Sequence, residues 1–113
     1  MKHFIYFDNS LNLDLDIYLG ENAKENWELI DNARKYYIWF HLDNYSSPHV
    51  ILNCPKKSKL SNTTIKYCAN MCKEYSKVKK MKNIKIIYTE IKNVKKGEEI
   101  GSVYTSKTKT IVI

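Results

Sequence analysis

Two histidines eight residues apart, His41 and His49, are the side chains best suited to chemistry, and Trp39, Asp43, Ser46 and Ser47 stand within a few positions of them. A serine, a histidine and an aspartate can form a nucleophilic set, so such a set can be written on paper. Nucleophilic catalysis also needs the serine on a sharp, glycine-flanked turn, and no glycine flanks Ser46 or Ser47. The expectation is therefore binding without catalysis. An indole with an exposed face beside lysines would stack a base, and the imidazoles would lie near the same contact. The alternative for both histidines is structural, each ring hydrogen-bonded and holding the loop at residues 45–48. Both roles are open at this level.

Metal chemistry is the other use of histidine. Cys68 and Cys72 are four apart and could face one ion from a helix, with His41 or His49 as further ligands. The three cysteines, Cys54 included, form no C-x-x-C pair, and the Cys68–Cys72 spacing equally fits a buried helical stripe. No metal site, cofactor or disulfide framework is expected, and the thiols are expected to be reduced.

The elements that must position these residues follow from periodicity. Residues 38–42 and 49–52 are short apolar runs joined by a polar connection containing Ser46, Ser47 and Pro48, which reads as strand, loop, strand. Alternation puts Ile38, Phe40 and Leu42 on one face of the first strand and Trp39, His41 and Asp43 on the other. Residues 2–7 and 14–19 read as a pair of strands around the Asp8-Asn9-Ser10 turn. In the following helix, Ala23, Trp27, Ile30 and Ala33 recur at helical spacing. Asn22 caps it, Glu25 completes a capping-box-like start, and Arg34 and Lys35 occupy its last turn. Ser61 or Asn62 caps a second helix whose Ile65, Cys68, Ala69 and Cys72 make its buried stripe. Residues 84–89, 102–105 and 109–113 read as three more strands. The result is an α+β fold, one mainly antiparallel sheet packed with two helices, in a single domain spanning residues 1–113.

Charge is divided unevenly along this framework. Residues 1–54 carry four basic side chains against eight acids, net −4, whereas residues 55–113 carry fifteen lysines against four acids, net +11. An AT-rich genome would enrich lysine everywhere, not in one half. The division therefore points to a polyanion-binding face, provided the fold gathers the lysines on one side. The densest run, residues 77–85, holds Lys77, Lys79, Lys80, Lys82 and Lys85, and Lys92, Lys95, Lys96, Lys107 and Lys109 follow. Lysine is a point charge suited to phosphate backbone more than to bidentate base reading, so weak sequence specificity is expected. The longest apolar run is far below a membrane span, and the N-terminus lacks a signal peptide's features, so a cytoplasmic protein without membrane contact is expected.

The order of these features resembles the NFACT-R domain, the RNA-binding module of NFACT proteins of ribosome-associated quality control, also found in small eukaryotic coiled-coil-containing proteins. The helix start carries Gly20, Asn22, Ala23, Asn26 and Leu29; the tryptophan signature is Tyr37-Ile38-Trp39-Phe40-His41; the second histidine element is Ser46-Ser47-Pro48-His49-Val50. Tyr88-Thr89, Val94-Lys95-Lys96, Gly101 and Lys109-Thr110-Ile111 are similar to the family's closing pattern. Tyr37 stands where the family usually has aspartate, and Ser47-Pro48 where many members have Gly-Ser. The resemblance implies a non-catalytic module for structured RNA, tRNA or rRNA, in translation or ribosome quality control, with the ribosome a further partner. The lysines named above would meet phosphates, with Trp39, His41 and His49 near the contact. Two alternatives stand beside it: a protein-interaction adaptor for translation or tRNA-modification machinery, and a binder of DNA backbone.

Overall fold

The computed structural model describes residues Met1–Ile113. Its strands are β1 (Lys2–Asp8), β2 (Leu13–Leu19), β3 (Ile38–Leu42), β4 (Val50–Asn53), β5 (Lys85–Glu90), β6 (Val94–Lys96), β7 (Val103–Thr105) and β8 (Lys109–Val112). The helices are α1 (Ala23–Asn32), between β2 and β3, and α2 (Asn62–Glu74), between β4 and β5. Six strands form one sheet in the order β1-β2-β4-β3-β5-β8, every neighbouring pair antiparallel. The expected α+β fold is what the chain adopts. A second, two-stranded sheet of β6 and β7 was not expected as such. The strand expected at residues 102–105 is β7, but it pairs with the three-residue β6, which alternation is too short to declare, and not with the large sheet.

Each face of the large sheet has its own core. On one side Phe40, Leu42, Leu52, Ile17 and Ile86 pack against Cys68, Ala69 and Cys72 of α2. On the other, Trp39 and Ile51 pack against Leu29 and Ile30 of α1 and Val94 of β6. Alternation along β3 was thus legible, but neither face is open. Trp39 is 1 % exposed, because α1 and the small sheet cover the face it shares with His41. Burying a side chain such as Phe40 or Leu52 contributes about 2 kcal/mol each, which makes these central strands the least replaceable part of the fold.

Helix α1 begins as its sequence requires: Asn22 accepts from the Glu25 N–H at 2.9 Å, and Glu25 in turn accepts from the Glu21 N–H at 3.0 Å. Its end differs from expectation. The helix stops at Asn32, so Arg34 and Lys35 lie beyond it and cannot compensate its last turn. Its buried residues are Asn26, Leu29 and Ile30, while Ala23 is exposed and Trp27 half-buried. Trp27 instead reaches out to the small sheet, donating to the Ser102 carbonyl at 2.9 Å under the Lys96 ammonium.

Helix α2 is capped by Ser61, whose Oγ accepts from the Thr64 N–H at 3.3 Å. Behind the cap lies Asp8, at the end of β1 and buried, taking bonds from the Ser61 N–H, the Ser61 hydroxyl, the Thr64 hydroxyl and the Leu11 N–H. Burial would raise the Asp8 carboxyl; these four donors more than reverse it and hold it down at about 2. A depressed carboxylate contributes stability that is present above its unfolded value near 3.8 and is lost as pH falls through about 2. Asp8→Asn is expected to cost about 2 kcal/mol at pH 7 and to remove that acid limb. Urea midpoints at pH 7 and pH 2.5 check it; equal midpoints for both proteins at pH 7 would contradict it.

Candidate nucleic-acid interface

A cleft of about 560 Å³ opens at the end of the sheet where β2 leaves for α1 and where β4 begins. Its walls come from segments distant in sequence: Gly20 and Asn22 at the start of α1, His41 of β3, Ser46 to His49 ahead of β4, Tyr75 to Lys77 after α2, and Gly101. The fold thus brings both histidines and the first residue of the densest lysine run to one place.

The rings are tightly organised. Trp39 donates from Nε1 to His49 Nδ1 at 3.0 Å, which fixes that nitrogen as an acceptor and the proton on Nε2. The His41 ring lies parallel to the Trp39 ring, and the His49 ring stands edge-on to both, with His41 and His49 centroids 5.1 Å apart. His41 Nδ1 is turned to the Leu42 carbonyl. Burial pushes His49 down to about 3, and the neighbouring His41 pushes the same way, outweighing the Gly101 carbonyl. Burial also lowers His41, partly offset by the Leu42 carbonyl and Asp43. Both rings are therefore neutral at pH 7. His41 is half-exposed on the cleft wall, whereas His49 is 2 % exposed and Trp39 lies behind it. Trp39 lacks the open face that base stacking requires, and that expectation is corrected: its task is to hold His49.

Three residues that motif reading passed over as chemistry build the cleft. Asn26 Oδ1 accepts the His49 N–H at 3.2 Å, and the Gly20 N–H donates to the His49 carbonyl at 3.0 Å. A Cβ on Gly20 would fall 2.2 Å from that same Asn26 oxygen, so the position has room for glycine only. Gly101, at φ +89°, brings the segment after β6 within 2.8 Å of the Ala23 side chain for any added Cβ. Ser47 Oγ accepts from the Leu42 N–H at 3.1 Å and donates to the Pro48 carbonyl at 3.0 Å, so its proton faces a carbonyl and not a histidine. Cys68 and Cys72 lie in the α2 core, on the opposite side of the sheet from the rings. The histidines and cysteines therefore cannot share an ion. Burial raises both thiols.

All ten lysines singled out from the sequence are exposed, but they do not converge beside the histidines. Lys77, Lys79, Lys80 and Lys82 belong to the connection from α2 to β5, at the cleft end, pinned by Val78 and Ile84 in the core, and Lys85 opens β5 just after it. Lys95 and Lys96 lie on β6, where Lys96 is paired with Asp31 at 2.8 Å. Lys92, Lys107 and Lys109 border another cleft, at the far end of β5. Lys92 is held by Glu90 at 3.7 Å. The remaining eight have no carboxylate within 4.0 Å. The single gathered face is corrected to three groups: one at each end of the large sheet, and Lys95 and Lys96 on the small one. β5 itself carries the chain from one end to the other.

Comparison with known proteins accords with this architecture. Residues 3–107 match the family described as NFACT protein RNA binding domain. The chain is 32 % identical to coiled-coil domain-containing protein 25 of Mus musculus over 97 % of its length, and 35 % identical to that of Danio rerio over 86 %. It spans about half of those relatives, 56 % and 50 % of their lengths. Among solved structures, the C-terminal part of the fibronectin/fibrinogen-binding protein from Streptococcus suis superposes on the whole chain and on 45 % of its own with a TM-score of 0.83. At 23 % identity that likeness is one of fold. The chain belongs to the NFACT protein RNA-binding domain family, whose role is nucleic-acid binding.

Proposed function

We propose that this chain is a non-catalytic module that binds structured RNA, tRNA or rRNA, in a cytoplasmic translation or ribosome quality-control setting. One observation carries the reading: Lys77, Lys79, Lys80 and Lys82 stand exposed and without acidic partners on a short connection anchored at both ends, with Lys85 at the start of β5 after it, and Lys77 lines a nucleotide-sized cleft. Ser76 stiffens its start, its Oγ donating to the Lys73 carbonyl at 2.6 Å and accepting from the Val78 N–H at 3.2 Å. Charges held in place lose little freedom on meeting phosphate, so these lysines supply the affinity. His41, the half-exposed ring of the cleft, meets the ligand, and Trp39 and His49 act through it as positioning residues.

Binding of this kind releases counterions and weakens steeply with salt. Lys79→Glu/Lys80→Glu/Lys82→Glu is expected to lower affinity for tRNA more than about tenfold and to flatten the salt dependence by about 2 in slope. Fluorescence anisotropy between 50 and 200 mM salt measures both. Affinity that ignores salt, or that survives the triple substitution, would remove the electrostatic basis of the proposal. Competition with DNA of equal length separates RNA preference from general backbone binding.

A further inference from the structure

The far end of the sheet carries, beside Lys92, Lys107 and Lys109, basic residues outside the ten lysines named above. Two clefts there, of about 360 and 230 Å³, share Ile38, Glu90 and Lys92 in their walls and so form one continuous surface. Lys35, Lys56, Lys57 and Lys92 border the first, and Lys92, Lys107 and Lys109 the second. Six lysines face one carboxylate, Glu90, which is engaged with Lys92.

What distinguishes this surface from a solvated charge run is that its loops are bolted together. The Lys92 N–H donates to the Lys35 carbonyl at 3.0 Å, and Cys54 Sγ donates to the Tyr36 carbonyl, which ties the loop of Lys56 and Lys57 to that of Lys35. Thr89, 6 % exposed, donates to the Ser106 and Lys107 carbonyls at 3.1 and 3.3 Å and accepts from Asn93 Nδ2 at 3.0 Å. The Ser106 N–H closes the set on the Asn93 carbonyl. Lys57 and Lys107 both hold positive φ, 55° and 52°, a conformation that costs a non-glycine residue energy and persists where surrounding bonds enforce it. Four basic segments are thereby preorganised into one platform.

We infer that this platform is a second phosphate-binding surface, so that the domain engages two backbone segments of one folded RNA at opposite ends of its sheet. The inference rests on the RNA-binding reading above. The two surfaces lie about 17 Å apart, the rise of β5 from Lys85 to Glu90. Each is electropositive, and the sheet between them is rigid. An RNA that presents two strands or a sharp bend satisfies both at once.

The test uses the full chain and a stem–loop RNA of about 30 nucleotides, with lysine acetylation footprinting at one RNA per domain and binding measured by anisotropy. The expected result is simultaneous protection of Lys56, Lys57 and Lys107 at one end and Lys79, Lys80 and Lys82 at the other. Lys56→Glu/Lys57→Glu/Lys107→Glu is expected to lose about tenfold or more in affinity, with Lys56→Gln/Lys57→Gln/Lys107→Gln intermediate and both melting like the parent. Protection confined to residues 79–82, with the far-end variants binding normally, overturns the second surface and leaves RNA binding standing. Protection confined to the far end overturns the two-ended arrangement as well. A parent chain that binds no stem–loop defeats the RNA reading and this inference with it.

Discussion

Between pH 7 and pH 4 the domain is expected to lose about 3 kcal/mol of stability through His49 alone. The ring is neutral in the fold because burial penalises its charge, and the Trp39 indole donates to the nitrogen that a second proton would occupy. In the unfolded chain it protonates near 6.5. A histidine whose folded value is depressed leaves the unfolded state binding more protons between those values, so stability is complete above pH 6.5 and drains away as pH falls toward 3. His41, lowered for the same reason, adds loss of the same sign. The Asp8 limb begins only near pH 3.8, so above pH 4 the loss is separable from it. Urea unfolding at half-unit steps measures the slope. His49→Gln, which keeps an acceptor for Trp39 without a titrating ring, is expected to be less stable at pH 7 but to flatten the curve above pH 4. A parent protein equally stable at pH 7 and pH 4 would show that the ring does not protonate on unfolding as described.

Gly20→Ala is the second large effect, expected to destabilise by about 3 kcal/mol. The new methyl would meet Asn26 Oδ1 at 2.2 Å, forcing away the oxygen that accepts the His49 N–H and leaving a buried donor unpaired. The cause can be isolated by a cycle. Asn26→Ala alone removes the acceptor and costs about 2 kcal/mol, but it also clears the space. Gly20→Ala made in that background is then expected to cost less than about 1 kcal/mol, giving a coupling of about 2 kcal/mol between the two positions. Additive losses in thermal or urea unfolding would mean that the new methyl is opposed by the Asn26 backbone, 3.0 Å away at its nitrogen, and not by the Asn26 side chain.

How much of this was legible in sequence depends on the residue. The strands around His41 and His49 announce themselves by alternation, and Asn22 and Ser61 by their place ahead of helical spacing; all four do what their types predict. The buried face of α1 was misread because Ala23 and Trp27 have the right spacing, while the position that faces the sheet is taken by the polar Asn26. A side chain buried for its hydrogen bond leaves no mark on a hydrophobic pattern. Alternation also placed Trp39 and Phe40 on opposite faces without revealing that helices cover both. The lysines were the harder case. Lys85 and Lys92 are close in the chain, yet β5 lies between them and sends them to opposite ends. Clustering along a sequence is not clustering in space when a strand intervenes. For the same reason Lys35, Lys56 and Lys57, which sit far apart or in another context along the chain, were not seen as neighbours of Lys92.

The strand order of the large sheet also governs the tempo of its assembly. Only β1 and β2 are joined by a tight turn; β2 must wait for β4, β3 for β5, and β5 for β8, with Ile84 finally paired to Ile113. Such non-local pairing makes folding slow compared with helical domains of this size. A chain emerging from its N-terminus can form the first hairpin early, but the central strand β3 lacks its outer neighbour until most of the polypeptide has been synthesised. Until then β3 keeps an open edge along Trp39 and Phe40, whose partners Thr89 and Tyr88 come last, and an unpaired strand edge is what makes a partly folded chain prone to association.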